Sequence, residues 1–283
     1  MLGVRSLAYI RTKETIAPLL SVVRNSDVEI RAIAIEALSS FHDPRIPPVL
    51  VDALNDIAAK VRKEATIGLS FRSDLREELN LVDLLLLRLY DFSMDVCLAA
   101  ANGLGRLGTD RAAAGLFQVL QSPHTPIILQ IEIVLALGRV GTHASLEYLR
   151  QVFDRTDAIA VWQETINALG RIEQLSLRSP AANILSGLLQ ADRPAAQHDK
   201  LKQAIALSLG QLGEIQAIAP LIQLLAESDL AVKLHAISAL KQLNSAVAYQ
   251  QLTQLANDAT ISPQLQQGVA IALQEWDASC SLS

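Results

Sequence analysis

Apolar residues recur along this chain with a fixed long spacing. One column of leucines repeats about every 33 residues, a period typical of stacked supersecondary units. Each leucine after the first is preceded, eight positions earlier, by another aliphatic residue. The column consists of Leu7, Leu38, Leu69, Leu104, Leu137, Leu169, Leu209, Leu240 and Leu273. The pattern therefore predicts a row of similar structural units along the whole chain.

Residues 229–257 show how one unit is built. Their apolar positions, at successive spacings of four, three, one and three residues, form one stripe on a helix; they are Val232, Ala236, Ala239, Leu240 and Leu243. Asp229 precedes the stripe, where its carboxylate is expected to cap the first turn. A second stripe follows through Leu252 and Leu255. Each unit is therefore predicted to be two antiparallel helices joined by a short turn.

Small residues flank the leucine column. The residue before each leucine after Leu7 is Ala, Gly or Ser, which allows neighbouring helices to approach closely. Glycines that directly follow the column leucines, such as Gly105 and Gly210, are expected to serve packing inside the last helical turn. A second set, Gly108, Gly141 and Gly213, falls where a helix should end in the left-handed conformation.

Counting the columns predicts about eight helix pairs in one continuous domain, residues 1–283. The helix at residues 1–10 lacks room for the upstream aliphatic position and is expected to be incomplete. Two gaps are longer than the others. Residues 72–80 are expected to lengthen a helix by a turn, and residues 191–200 read as a solvated loop that marks a candidate bend between two halves.

Composition and charge narrow the function classes. Apolar residues make up 51% and aromatic residues 4%, which suits close-packed helices better than sheets. The net charge of −5 argues against a nucleic-acid binder, which needs a basic stripe. No apolar run is long enough to cross a membrane, and the start of the chain does not resemble a signal peptide. The two cysteines, Cys97 and Cys280, lack metal-ligand spacing. We therefore expect a cytoplasmic protein without cofactor, metal or catalytic residues.

The repeated residues resemble HEAT repeats, and more narrowly the short HEAT-like repeats named after phycobilisome lyases. Residues 27–38 match the first half of that repeat, with Asp27, Arg31 and the Ala37-Leu38 pair, and residues 208–225 match the second half. The resemblance implies a right-handed all-α solenoid in which the leucine-column helices line the concave side. It implies another protein as partner, either a phycobiliprotein or a second HEAT-repeat subunit. Relatives of this type include bilin lyase subunits, phycobilisome-degradation factors, adaptors and an iron-dependent hydroxylase.

Positions where this sequence departs from the family's repeat pattern indicate which of these relatives it resembles less. The family's arginine column, which usually forms an Asp–Arg ladder, begins with Arg31 and Arg62 and then continues as Cys97, Gln130, Trp162, Lys202, Lys233 and Gln266. The middle repeats are therefore expected to lack the ladder. The hydroxylase binds iron through His-Glu pairs, and none is present in this sequence. Lyase subunits carry an aromatic-rich N-terminal stretch, where this chain has only Tyr9.

Three arginines form the most prominent candidate surface. Arg106, Arg139 and Arg171 each lie two residues after a column leucine, in consecutive units. In a solenoid they should lie about 10 Å apart. Since arginine binds carboxylates through two parallel hydrogen bonds, we hypothesise that they grip an acidic partner segment or the propionates of a tetrapyrrole. The alternative is that each pairs with an acidic residue at its own turn, such as Asp110 or Glu173.

Five further residues share neighbouring columns and are candidate partner contacts. Glu132 and Glu164 lie five residues before their leucines, and Asn102 and Asn167 lie two before. The carboxylates are expected to face the arginines or water, and the amides to bind an extended peptide backbone or solvent. Trp162 is either an exposed contact or a packed filler.

The function predicted from the sequence is a non-catalytic adaptor that holds a partner protein in its concave groove. Five aliphatic residues at outward positions favour such a surface: Leu98, Ile131, Leu135, Leu207 and Leu234. The alternative is a phycobilin lyase or chromophore-handling subunit that acts with a second chain.

Overall fold

The computed structural model describes residues 12–190, 194–243 and 245–280, and within these ranges every regular element is helical. The predicted incomplete helix at residues 1–10 lies outside them. The first eight α-helices are α1 (Ile16–Val22), α2 (Val28–Ser39), α3 (Ile46–Ala53), α4 (Ala59–Ser70), α5 (Leu81–Arg88), α6 (Met94–Leu107), α7 (Asp110–Leu120) and α8 (Ile127–Val140). The next eight are α9 (His143–Val152), α10 (Ile159–Gly170), α11 (Leu175–Gly187), α12 (Asp199–Leu212), α13 (Ile218–Gln223), α14 (Leu230–Gln242), α15 (Ser245–Ala256) and α16 (Pro263–Cys280).

The helices form two compact units, Met1–Val140 and Gly141–Ser283. Unit 1 contains α1–α8 and unit 2 contains α9–α16, so each unit holds four pairs among the described residues. An odd-numbered helix packs mainly on the even-numbered helix that follows it. The prediction of about eight pairs is confirmed, although the leucine helix comes second in each pair. That the chain is one domain with a bend near residues 191–200 stays a prediction, and residues 191–193 lie outside the description.

The even-numbered helices carry the leucine column, and we call them the column helices. Within unit 1 the column helices pack side by side in the order α2, α4, α6 and α8, and within unit 2 α10, α12 and α14 do the same. Every column leucine from Leu38 to Leu240 is fully buried. Burial of such a side chain contributes about 1.5–3 kcal/mol, so the recurring leucine stabilises each pair in turn.

Small side chains set the distance between column helices, as predicted. A Cβ added to Gly105 would lie 2.8 Å from the Cα atom of Ala136, a distance that real Cβ atoms do not reach. Glycine is therefore needed where α6 crosses α8. The helix-ending role of the second glycine set is also confirmed, since Gly108 and Gly213 adopt φ angles of 65° and 75°, which disfavour any residue with a Cβ.

The expectation for residues 72–80 is wrong, because this segment does not lengthen a helix. Helix α4 ends at Ser70, and a short 3₁₀ turn follows at Ser73–Leu75. The Arg72 guanidinium donates to both carboxylate oxygens of Asp74 at 3.0 and 2.9 Å. Asn80 then adopts a left-handed conformation directly before α5. A local ion pair and a left-handed residue thus replace the extra turn.

The Asp–Arg ladder is present in the first repeats. Arg31 donates to both oxygens of Asp56 at 2.8 Å, and Arg62 donates to Asp91 at 2.8 and 2.6 Å. Hydrogen bonds from these arginines hold the pKa of the Asp56 and Asp91 carboxyls below their usual values. Each of these two nearly buried ion pairs connects one helix pair to the next.

The next two repeats replace the ion pair with neutral hydrogen bonds. The Cys97 thiol donates to the Asp91 carbonyl at 3.1 Å, and the Gln130 amide donates to the Thr125 carbonyl at 2.8 Å. The predicted loss of the charged ladder after Arg62 is therefore confirmed for these two positions. In the first repeats Arg31 and Arg62 also donate to loop carbonyls. Cys97 and Gln130 donate to the corresponding carbonyls of the next two repeats, so these backbone groups keep a hydrogen bond.

Candidate partner-binding surface

The C-terminal ends of the column helices in unit 1 bring the predicted residues together. Arg106 lies near the end of α6, and its guanidinium donates to the Ser70 hydroxyl on α4 at 3.0 Å. It also donates to the side-chain carbonyl of Asn102, one turn earlier on α6, at 3.2 Å. These two hydrogen bonds fix the position of the Arg106 side chain between neighbouring column helices.

An aromatic ring supports the same arginine. The guanidinium carbon of Arg106 lies 3.8 Å from the centroid of the Phe71 ring, a cation–π contact. The ring itself is 60% exposed. Sequence reasoning did not single out Phe71, although it lies two residues after Leu69 and therefore in the same column as Arg106. Its place in that column was the signal that could have found it.

The network continues from α6 to α8. The Asn102 amide donates to the Glu132 carboxylate at 3.1 Å, and the same carboxylate lies 3.5 Å from the Arg139 guanidinium. Four of the eight predicted residues thus form one connected network: Asn102, Arg106, Glu132 and Arg139. Ser70 and Phe71 complete it on the α4 side.

The charges in this network do not balance. Arg106 and Arg139 carry two positive charges, and Glu132 is the single carboxylate bound within the network. The described hydrogen bonds of the Arg106 guanidinium go to neutral oxygens only. Partial burial, followed by the charge of nearby Arg139, lowers the pKa of Arg106. The surface therefore favours an incoming anion.

A cleft of about 350 Å³ lies beside this network, and we call it the Arg106 cleft. It is lined by Lys63, Ile67, Ser70, Phe71, Asp95, Leu98, Ala99, Asn102, Arg106 and Glu132. Ile67, Leu98 and Ala99 line its apolar middle part, and Phe71 and Arg106 lie at one end. A Lys63–Asp95 ion pair of 3.4 Å closes the end away from Arg106.

The remaining predicted residues lie on α10 in unit 2. Arg171 is exposed just after the helix end, and Glu164 and Asn167 are half-buried. Among the described residues of unit 2, no hydrogen bond or ion pair joins these three side chains to one another. The network seen around Arg106 is therefore not repeated inside unit 2.

Trp162 is the one predicted contact that the structure contradicts. Its side chain is only 4% exposed and lies against Phe153, with 6.3 Å between the ring centroids. It occupies the ladder position at the start of α10, where the side chain points into the packing between helices. The alternative of a packed filler is therefore correct, and Trp162 is not available to a partner.

The alternative of local pairing at the turns is not observed for two of the arginines. No ion pair joins Arg106 to Asp110 or Arg171 to Glu173 in the described parts of the chain. The predicted outward aliphatic residues are accessible to differing degrees. Leu207 and Leu234 in unit 2 are 42% and 44% exposed, whereas Leu98, Ile131 and Leu135 in unit 1 are half-buried.

No group of three or more His, Cys, Asp or Glu side chains among the described residues is placed to hold a metal ion. No helix in the described ranges combines the length and the apolar character that crossing a bilayer requires.

Stacked helix pairs, with a fully buried column leucine in each of the first seven, define an all-α repeat protein of the solenoid class. The chain belongs to the HEAT-repeat family, because the family model for HEAT repeats matches residues 2–70, 82–170 and 185–274. None of the curated proteins compared is similar enough to count as a match.

Solved structures share the helical repeat architecture. The complex of CpcE and CpcF of phycocyanin lyase from Nostoc sp. PCC7120 is 19% identical, with 92% of this chain and 94% of that chain covered and a TM-score of 0.47. Importin beta is 13% identical, with 95% and 40% covered and a TM-score of 0.53. A homology model of the AP-3 complex is 13% identical, with 93% and 51% covered and a TM-score of 0.67. At 13% identity the similarity to importin beta and to AP-3 concerns the fold alone.

Proposed function

We propose that this HEAT-repeat protein is a non-catalytic adaptor that binds a partner protein along its column helices, in the cytoplasm as the sequence predicts. The observation that carries the proposal is that Arg106 has no carboxylate partner among the described residues. The residue is exposed, and its guanidinium is hydrogen-bonded only to neutral groups among the described residues and lies close to a second arginine. Such a side chain suits recognition of a carboxylate.

Preorganisation supports this role. A guanidinium has five N–H donors, and two hydrogen bonds together with the Phe71 ring already fix its orientation. A partner that binds there does not have to order the side chain first, so less conformational entropy is lost on binding. The carboxylate of an acidic side chain fits the remaining donors, since charge-assisted pairs with arginine are strong and directional.

Arg171, with Glu164 and Asn167 beside it on α10, is proposed as a second contact region in unit 2. The exposed Leu207 and Leu234 on the later column helices add apolar surface to that unit. Exposed apolar side chains on a polar surface are typical of protein interaction sites.

Charge reversal tests the proposal. Replacing Arg106, Arg139 and Arg171 with glutamate is expected to lower partner capture from the source cell by at least about a hundredfold, as loss of several charged anchors implies. Three exposed arginines outside the Arg106 cleft, Arg24, Arg111 and Arg150, provide the matched control with the same charge change. Circular dichroism should be unchanged in both variants. Unchanged capture by the first triple variant would remove the proposal.

The second candidate function is a chromophore-handling subunit that acts with a second chain. Two arginines within electrostatic range of each other suit the two propionates of a bilin, and the adjoining cleft offers apolar surface. Mixing the purified protein with free bilin separates the candidates. A red-shifted, protein-bound absorbance that transfers to an apo-phycobiliprotein favours the lyase, and an unchanged spectrum favours the adaptor.

A further inference from the structure

We propose that the Arg106 cleft of unit 1 binds one short extended peptide segment in which an apolar side chain lies close to an acidic one. This inference rests on the adaptor function proposed above and specifies the chemistry of the partner. All residues that line the cleft lie in unit 1. Two features of the cleft carry it: an apolar floor and an unequal distribution of charge between its ends.

The floor of the cleft is apolar and accessible. Ile67 on α4 and Leu98 and Ala99 on α6 are half-buried, and Phe71 at the end of α4 is 60% exposed. Together they leave apolar surface in contact with water between two column helices. Covering such surface is favourable in proportion to the apolar area removed from water. An apolar side chain of the partner is therefore expected to enter here.

The two ends of the cleft differ in charge. At one end Lys63 and Asp95 form an ion pair of 3.4 Å and neutralise each other. At the other end Arg106 binds only neutral acceptors, while Glu132 is shared between Asn102 and Arg139. An acidic side chain at the Arg106 end gains a charge-assisted hydrogen bond, whereas a basic one would meet the net positive charge of Arg106, Arg139 and Glu132 taken together. Charge complementarity thus fixes the sign of the charged side chain and places it at the Arg106 end of the cleft.

The helix geometry limits the length of the segment. Asp95 and Arg106 lie on the same helix, and at about 1.5 Å of rise per residue the distance along α6 between them is about 16 Å. An extended chain covers about 3.3 Å per residue, so the cleft accommodates roughly five residues. The volume of about 350 Å³ lies near the lower end of known ligand sites, roughly 300–1,000 Å³, which fits a few side chains.

Fluorescence anisotropy with labelled nine-residue peptides tests the inference directly. The first probe carries a central phenylalanine followed by two glutamates among glycine and serine. The second replaces both glutamates with lysines, and the third replaces the phenylalanine with serine. The full-length protein is expected to bind the first probe at least tenfold more tightly than either of the others. Equal binding of all three probes, or no binding of the first, would overturn the inference.

A charge exchange provides the sharper measurement. Arg106→Glu is expected to weaken the glutamate probe at least tenfold and to strengthen the lysine probe, which a folding defect would not do. Leu98→Ser is expected to weaken the first probe while the discrimination between glutamate and lysine remains. Arg111→Glu, an exposed arginine that does not line the cleft, should leave every affinity unchanged. If Arg106→Glu fails to alter the preference between glutamate and lysine, the inference is wrong.

These outcomes can be told apart from failure of the adaptor function. If the triple arginine variant loses partner capture while no peptide binds the Arg106 cleft, the adaptor function survives and the peptide chemistry proposed here does not. Concentration-dependent self-association that Arg106→Glu abolishes would identify a second copy of this chain as the occupant and would also overturn the inference. Tighter binding of a bilin than of the peptides in the cleft would also overturn the inference.

Discussion

Arg62 on α4 binds the Asp91 carboxylate, in the loop between α5 and α6, through two hydrogen bonds of 2.8 and 2.6 Å. The two side chains are only 14% and 7% exposed. Arg62 also donates to the Asp56 carbonyl at 2.8 Å. The Arg62 guanidinium therefore connects two successive loops. Because both side chains are nearly buried, removing the arginine would leave the Asp91 carboxylate without its charged partner.

We expect Arg62→Ala to destabilise unit 1 by about 3 kcal/mol, because removing one partner of a buried pair leaves an uncompensated charge. The measurement is the free energy of unfolding in urea. Arg111→Ala is the matched control, since the Arg111–Asp83 pair is exposed at 69% and 48% and such pairs contribute about 1 kcal/mol or less. Equal losses in the two variants would contradict a special role for the ladder.

The ladder also predicts how stability depends on acid. Hydrogen bonds from Arg31 and Arg62 lower the pKa of Asp56 and Asp91 in the folded chain. A lowered folded pKa contributes stability that is complete above the unfolded value, about 3.9, and is lost as the pH falls through the folded pKa. The free energy of unfolding should therefore decrease below about pH 4. In Arg62→Met the acid-dependent loss should be smaller, and an equally steep loss would count against this origin.

Glu64 should behave in the opposite way. Burial, followed by the charge of Glu36 on the neighbouring column helix, raises the pKa of Glu64, while Lys63 and Lys60 oppose the shift. A raised folded pKa favours the protonated form, so the charged form costs stability at neutral pH. We expect Glu64→Gln to raise the thermal midpoint at pH 7. The gain should disappear below about pH 4, where the unfolded carboxyl is also protonated. A gain that is independent of pH would exclude an electrostatic origin.

Close packing between column helices gives a further test. Gly105→Ala is expected to cost about 1–3 kcal/mol, because the new Cβ would overlap the backbone of Ala136. Gly187→Ala is the matched control, since a Cβ there meets nothing within 4 Å. At that position the better helix propensity of alanine should give a gain of up to about 1 kcal/mol. Thermal unfolding of both variants measures the difference, and similar effects would refute the packing argument.

Part of the candidate surface could be predicted from the columns of the repeat. Arg106, Asn102, Glu132 and Arg139 were all identified by their distance from a column leucine, and unit 1 brings them into one network. A residue two before the leucine on one column helix meets the residue five before the leucine on the next. Asn102 and Glu132 meet in this way as a hydrogen-bonded pair, and Glu36 and Glu64 as two like charges.

Other features required the relative position of whole helices. The contact of Arg106 with Phe71 joins residues from consecutive repeats, and its existence depends on how far each column helix is shifted along its neighbour. The burial of Trp162 against Phe153 likewise depends on how α9 and α10 pack. A tryptophan at a ladder position gives no such information by itself, because the same position holds a charged arginine in the first repeats.

The sequence by itself determined the repeat, the helix pairs, the buried leucine column and the helix ends at Gly108 and Gly213, because these follow from local periodicity and backbone preferences. Only the tertiary structure decided which side chains became a surface. It placed Arg106 on Phe71 and left that arginine without a carboxylate partner among the described residues, and it buried Trp162. Such contacts join residues from different helices, so their energies depend on the positions of neighbouring helices, which no single stretch of sequence specifies.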